Sequence, residues 1–220
     1  MTIISLEGAS AVGKTTTAEV LCDEFDAYRV PEVNALFDTS KEDSTTWYFE
    51  RQCDRWEIAI DREKEHEFVV LDGDVLQPLW YNWIAHHLSD ELATVEEFAP
   101  LDSICHFFRE KVQEQSIGFP DRYFLLFTDD NTLKQRKGND EKRTRRNFES
   151  HLQFATPQRR YFEKLQTLSP KKVRFVRAQS VNTNRDTIRA ELPSSDDRTG
   201  RYSLDVLDAI FDWAEETSPS

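Results

Sequence analysis

Cysteine is scarce in this chain. Cys22, Cys53 and Cys105 are the three among 220 residues. They lie far apart and outside any Cys-x-x-Cys spacing, which excludes a disulfide framework and a thiolate metal site. They read as small buried fillers. Positive charge is also short: 28 lysines and arginines stand against 41 acids, for a net charge of −13. A field of that sign repels phosphate backbones and anionic bilayers, which argues against nucleic-acid polymers and membranes as partners. No apolar run approaches the ~18 to 20 residues that span a bilayer. The opening MTIISLEGAS has neither the basic flank nor the apolar length of a signal peptide, so the expected compartment is the cytoplasm. Repeats and low-complexity blocks are missing, and the five histidines show no metal-ligand spacing.

What the chain does have is core-forming material. Its residues are 38% hydrophobic, with 15 Phe and 5 Trp, enough for one domain over 1–220. Short β-like runs alternate with longer stretches of helical period, the pattern of an α/β fold in which a parallel sheet is wrapped by helices. Five apolar runs, at 3–6, 28–30, 68–71, 123–127 and 173–176, have the character of strands covered on both faces. Helical periods occupy 14–25, 44–65, 75–88, 95–115, 140–168 and 204–215. The polar stretch 191–201 reads as a connection within the domain. Nothing in the sequence decides between a monomer and a homodimer.

The first apolar run leads directly into Gly8-Ala9-Ser10-Ala11-Val12-Gly13-Lys14-Thr15, a complete G-x-x-x-x-G-K-[ST] pattern, with Thr16 continuing into a helical stretch. Glycines at both ends permit backbone turns that aim successive N–H groups at phosphate oxygens, and the positive end of the next helix adds to the same field. Lys14 is expected to reach the β and γ phosphates of ATP. Thr15 offers a hydroxyl to Mg²⁺, an ion that needs few protein oxygens. A GTPase would carry an Asn-Lys-x-Asp run after a later strand. None is present; Thr128-Asp129-Asp130-Asn131 is the nearest approach.

Three further features point to a small-molecule kinase. Val30-Pro31-Glu32 ends the second run, where proline sets the angle of exit from the sheet and aims Glu32 over the strand ends. A carboxylate there can take a proton from an attacking hydroxyl. The third run ends in Asp72-Gly73-Asp74, the form of a strand whose terminal acid orients a Mg²⁺ water or the acceptor. Asp74 reads either as a helix cap or as part of the metal shell. The stretch 134–146 carries seven basic residues against two acids. On a helix starting near Asp140, Arg143 and Arg146 project together, placed to reach a phosphate. The cluster Trp47, Tyr48, Phe49, Trp56, Trp80, Tyr81 and Trp83 reads mostly as core, with rings at the strand ends able to stack on a planar acceptor.

In this order these motifs resemble the P-loop kinases of the thymidylate kinase and deoxynucleoside kinase group. The resemblance covers about 180 residues, and the phosphate loop is its most specific part. It implies the strand order 2-3-1-4-5, with Glu32 as catalytic base. It also implies a lid at about 129–147 in which Arg136, Arg143 and Arg146 close over ATP. Phe49 and Gln52 fall where the family meets the acceptor, with Arg55 one turn further on. The family carries Glu-Arg-Ser or Asp-Arg after the third strand, whereas this chain has Gly73. That departure leaves room for relatives that phosphorylate other small alcohols, including antibiotics such as chloramphenicol. The expected function is Mg²⁺- and ATP-dependent phosphoryl transfer to a small acceptor, nucleoside- or nucleotide-like first. A module that binds ATP and signals without catalysis is the non-enzymatic alternative.

Overall fold

The five apolar runs all become strands: β1 (Thr2–Glu7), β2 (Ala27–Val30), β3 (Phe68–Asp72), β4 (Arg122–Phe127) and β5 (Val173–Arg177). In the computed structural model, which describes residues 1–42, 44–88, 99–139, 148–194 and 200–217, they form one all-parallel sheet in the order β2-β3-β1-β4-β5. This is the order implied by the kinase resemblance. Side chains alternate across a strand, so each run feeds two cores. Ile3, Val69, Leu71, Tyr123 and Val173 enter one apolar cluster; Ile4, Leu6, Val70, Phe124 and Val176 enter the other.

On the first face lie α3 (Trp47–Arg62), α4 (Gln77–His87), α5 (Leu101–Gln113), α8 (Ala155–Leu168) and α10 (Leu204–Thr217). They contribute Trp56, Trp83, Phe108, Phe162 and Phe211, all buried. The second face is covered by α1 (Lys14–Glu24), α6 (Asp130–Gly138), α7 (Phe148–Gln153) and α9 (Val181–Ala190), through Leu21, Leu133, Phe148 and Ile188. A short α2 (Val33–Leu36) follows β2. No helix among the described residues is long and apolar enough to cross a membrane.

Several expected boundaries shift for local reasons. The helix expected from residue 95 starts, within the described residues, at Leu101, with Pro100 in extended backbone as its cap. The helix expected over 140–168 appears in its described part as α7 and α8, separated at Phe154; residues 140–147 lie outside the described residues. Helix α6 escapes apolar periodicity because Leu133 is its one buried side chain among the described residues; α9 is amphipathic, but its buried face pairs Ile188 with the polar Asn184. Their starts are marked by capping: Asp129 accepts the Thr132 N–H, and Ser180 accepts that of Thr183. Cys22, Cys53 and Cys105 are free thiols, half-buried and not fully enclosed.

Candidate active site

Parallel strands put all their carboxyl ends on one edge of the sheet, and open α/β sheets bind ligands there. Along this edge runs a cleft of about 1220 Å³, bordered by the 8–16 loop and helix start, by Glu32 after β2, by Gly73 after β3 and by Gln179 and Ser180 after β5. Its far end is walled by Tyr48, Phe49, Trp80, Tyr81 and Phe154.

The 8–13 loop holds a shape that few residues tolerate. Gly8 has φ +130°, and a Cβ on it would stand 2.1 Å from the Leu126 carbonyl oxygen. Ala11 adopts φ +67°, a strained setting for a residue with a side chain. The cap of α1 is Gly13, which brings no side chain to the start of that helix. Lys14 folds back across the loop and donates from Nζ to the Gly8 carbonyl at 2.7 Å and to that of Ala9 at 3.5 Å. Strained loop, glycine-capped helix start and inward lysine together have the chemistry to hold an anion.

Arg136 closes the opposite side of this loop. Its guanidinium donates to the Val12 carbonyl at 2.8 Å, to Ala178 at 3.3 Å and to Gln179 at 2.7 Å. It therefore ties the loop to the β5–α9 junction, where Asn184 Oδ1 accepts the Gln179 N–H at 3.1 Å. Arg143 and Arg146 lie outside the described residues.

A cluster of acids gathers at the ends of β1, β2 and β3. Glu32 precedes α2, is exposed, and borders the cleft beside Gly73. Glu7, the last residue of β1, is buried; its Oε1 accepts from the Asp74 backbone N–H, and its Oε2 from Gln158 Nε2 at 3.1 Å. Burial, with the neighbouring Asp74 carboxylate next, raises the Glu7 pKa to about 8. Asp74 is raised to about 7 by burial, partly offset by N–H groups of Leu76 and Val75 and by the Tyr123 hydroxyl at 3.3 Å. Glu7 was not singled out as functional in the sequence. The signal available was an acid ending the otherwise apolar strand Thr2–Glu7, directly before Gly8.

The expected site residues divide accordingly. The cleft surface receives Lys14, Glu32, Phe49, Arg136 and the residues from Gly8 to Thr16. Gln52, Arg55, Asp72 and Asp74 are all 3% exposed or less and stand behind its wall. Asp74 lies just before α4, whose cap is Leu76 with no side-chain bond; its Oδ1 accepts from Tyr123 and its Oδ2 has no hydrogen-bond partner among the described residues. Asp72 faces the side of the sheet covered by α1, with Oδ2 3.3 Å from Arg29 of β2 and Oδ1 without a partner. Arg55, expected near the acceptor, is engaged with the protein itself. It donates to the carbonyls of Pro31 at 2.8 Å, Asp72 at 3.0 Å and Gly73 at 2.8 Å, and to Gln52 Oε1 at 2.6 Å. A buried guanidinium needs such acceptors, and these join the ends of β2 and β3 to α3. Burial lowers its pKa, opposed by Tyr48, Glu32 and Asp72.

At the far end, Tyr48 donates its hydroxyl to Gln77 Oε1 at 3.2 Å, and burial pushes its pKa to about 12. Of the aromatic cluster, Trp47, Trp56 and Trp83 are buried, while Tyr48, Phe49, Trp80 and Tyr81 reach the cleft. No described group of three or more acids, histidines or cysteines is arranged to hold a metal ion by itself.

The fold is that of the P-loop nucleoside and nucleotide kinases. Thymidylate kinase from Candida albicans superposes with a TM-score of 0.57 at 17% identity, over 86% of this chain and 89% of that one. Deoxyadenosine kinase from M. mycoides, solved with bound dATP, superposes with a TM-score of 0.58 at 16% identity, over 87% and 98%. No family model matches the sequence, and no curated protein matches it.

Proposed function

We propose that the protein is an ATP-dependent phosphotransferase that moves the γ-phosphoryl group to a small acceptor, with a nucleoside-like molecule as first choice. The observation that carries this reading is the shared cleft: a phosphate-loop cradle with Lys14 at one end and the Glu32 carboxylate facing the same space from β2.

In this reading the backbone N–H groups from Gly8 to Gly13 and the glycine-capped start of α1 hold the phosphates, and Lys14 leaves its loop carbonyls to meet them. Arg136 supports the wall beside the nucleotide base, while Arg143 and Arg146 are assigned to charge on the moving group. Glu32, exposed at the cleft, accepts the proton of the attacking hydroxyl. Aromatic side chains at the far end position the acceptor and exclude water.

Mg²⁺ would supply charge neutralisation on the phosphate oxygens. The Thr15 hydroxyl stands in the first turn of α1, and Asp72 keeps one unpartnered oxygen on the face that α1 covers. That sparse donor set suits an ion held chiefly by phosphates and water.

The test is ADP release from ATP and Mg²⁺, measured with and without nucleosides, nucleotides and hydroxylated antibiotics. Acceptor-dependent release supports the assignment. ATP binding without it identifies the non-catalytic sensor instead.

A further inference from the structure

We infer that the acceptor is an unphosphorylated alcohol and that the cleft rejects phosphomonoesters; the inference rests on the phosphotransferase reading above. Kinases that extend a monophosphate must hold a dianion beside the transferred group, which calls for a cation near the acceptor. Among the described residues bordering the cleft, the cations are Lys14 and Arg136. Both belong to the donor end, joined to carbonyls of the 8–13 loop.

The acceptor end has the opposite charge. Glu32 and Glu42 border it, and Gly73 lies between Glu32 and Glu7. A side chain starting at residue 73 would begin 3.8 Å from Glu32 Oε1 and 4.0 Å from Glu7 Oε1. A phosphate near that point meets the Glu32 carboxylate. Gly73 has φ +86°, a conformation that disfavours any replacement side chain, so no arginine is supplied from this turn. Arg55 is the nearest candidate to replace it. It is buried, and its donors already serve the carbonyls of Pro31, Asp72 and Gly73 and the Gln52 amide. Withdrawing it would leave several enclosed acceptors unpaired.

The remaining wall suits an uncharged molecule with a planar part. Tyr48, Phe49, Trp80, Tyr81 and Phe154 offer ring faces and edges. Trp80 is 6% exposed and borders the cleft, while its indole N–H is buried without a hydrogen-bond partner. A hydroxyl resting over Gly73 has Glu32 at hand as proton acceptor; a phosphate there meets that carboxylate with no cation beside it among the described cleft residues.

The experiment compares matched pairs with the full chain, ATP and Mg²⁺: each common ribo- and deoxyribonucleoside against its 5′-monophosphate, and chloramphenicol against its phosphate ester. ADP release should appear with at least one parent alcohol, and kcat/KM for the matching monoester should be lower by ~100-fold or more. A monoester used as well as its parent overturns the inference while leaving the phosphotransferase reading in place. If neither set accelerates ADP release, the phosphotransferase reading itself fails, and this inference falls with it.

Discussion

Glu32 leans over Gly73: its Cγ and Oε1 both lie 3.8 Å from the point where a side chain at residue 73 would begin. The two residues come from neighbouring strand ends, β2 and β3, 41 positions apart in sequence. Arg55 holds those ends together from below by binding the Pro31 and Gly73 carbonyls. The space over Gly73 is thus open on the cleft side and supported on the other, and the predictions below probe both sides of it.

Replacing Glu32 by Gln preserves the shape of the site and removes the proton acceptor. Turnover should fall by roughly 10²- to 10⁴-fold with ATP affinity unchanged. Steady-state rates and equilibrium ATP binding check this together. Loss of ATP affinity with normal saturated turnover would exclude Glu32 as the base.

Lys14→Ala should lower ADP release by ~100-fold or more, since the lysine is the cation within the phosphate cradle. Lys14 is only half-buried and bonds to loop carbonyls, so the far-UV circular dichroism spectrum should not change. A fully active variant would remove the loop from the mechanism.

Arg136 spans three carbonyls with a planar fork that lysine cannot reproduce. Arg136→Lys should raise KM for ATP by about tenfold with a smaller change in kcat. A kcat defect at unchanged KM would place Arg136 with the transferred group and not with the nucleotide wall.

Arg55→Lys keeps the charge but leaves several enclosed carbonyls unpaired. The expected cost is about 3 kcal/mol, read from the urea midpoint. If the variant is as stable as the parent and KM for the acceptor rises instead, Arg55 belongs to the acceptor site after all.

The Glu7 and Asp74 carboxyls are raised to about 8 and about 7 in the folded state, from ordinary values of 4.5 and 3.8. Between those limits the folded protein holds protons that the unfolded chain has released. Their contribution to stability is therefore greatest at low pH and is lost as pH rises toward 8. Glu7→Gln keeps an amide oxygen for the Asp74 N–H, and Gln158 can turn its own amide to match. The variant should gain on the parent as pH rises, by on the order of 2 kcal/mol at pH 8.5 relative to pH 5.5. Urea midpoints at several pH values measure this; parallel curves for the two proteins would show that Glu7 is not the titrating group.

Much of this protein is determined by its sequence over short spans. Each of the five strands is an apolar run long enough to cross a buried sheet, and each expected run is found in place. The loop from Gly8 to Lys14 is legible because left-handed backbone and close carbonyl approach restrict which residues fit, so the need is written at fixed spacing. The Pro31-Glu32 exit is legible for the same reason, as one residue's backbone limits its neighbour's direction. Helix α6 is hidden from periodicity, since a helix that buries little beyond Leu133 has little pattern to show, whereas α9 is amphipathic with a buried face shared by Ile188 and the polar Asn184.

The tertiary structure alone decided how the acids and arginines around Gly73 are used. Asp72, Asp74 and Arg55 are ordinary charged residues in sequence, and only the sheet order shows that all three are enclosed. Parallel pairing of β1 with β3 sets Glu7 against Asp74 across 67 positions, and α8 adds Gln158 from 151 positions away. Such contacts carry no spacing rule, because crossover length between parallel strands varies without moving their ends. Whether a carboxyl there is a cap, a buried acid or a proton acceptor depends on its exposure and neighbours. Both are properties of the packed sheet edge and not of the local chain.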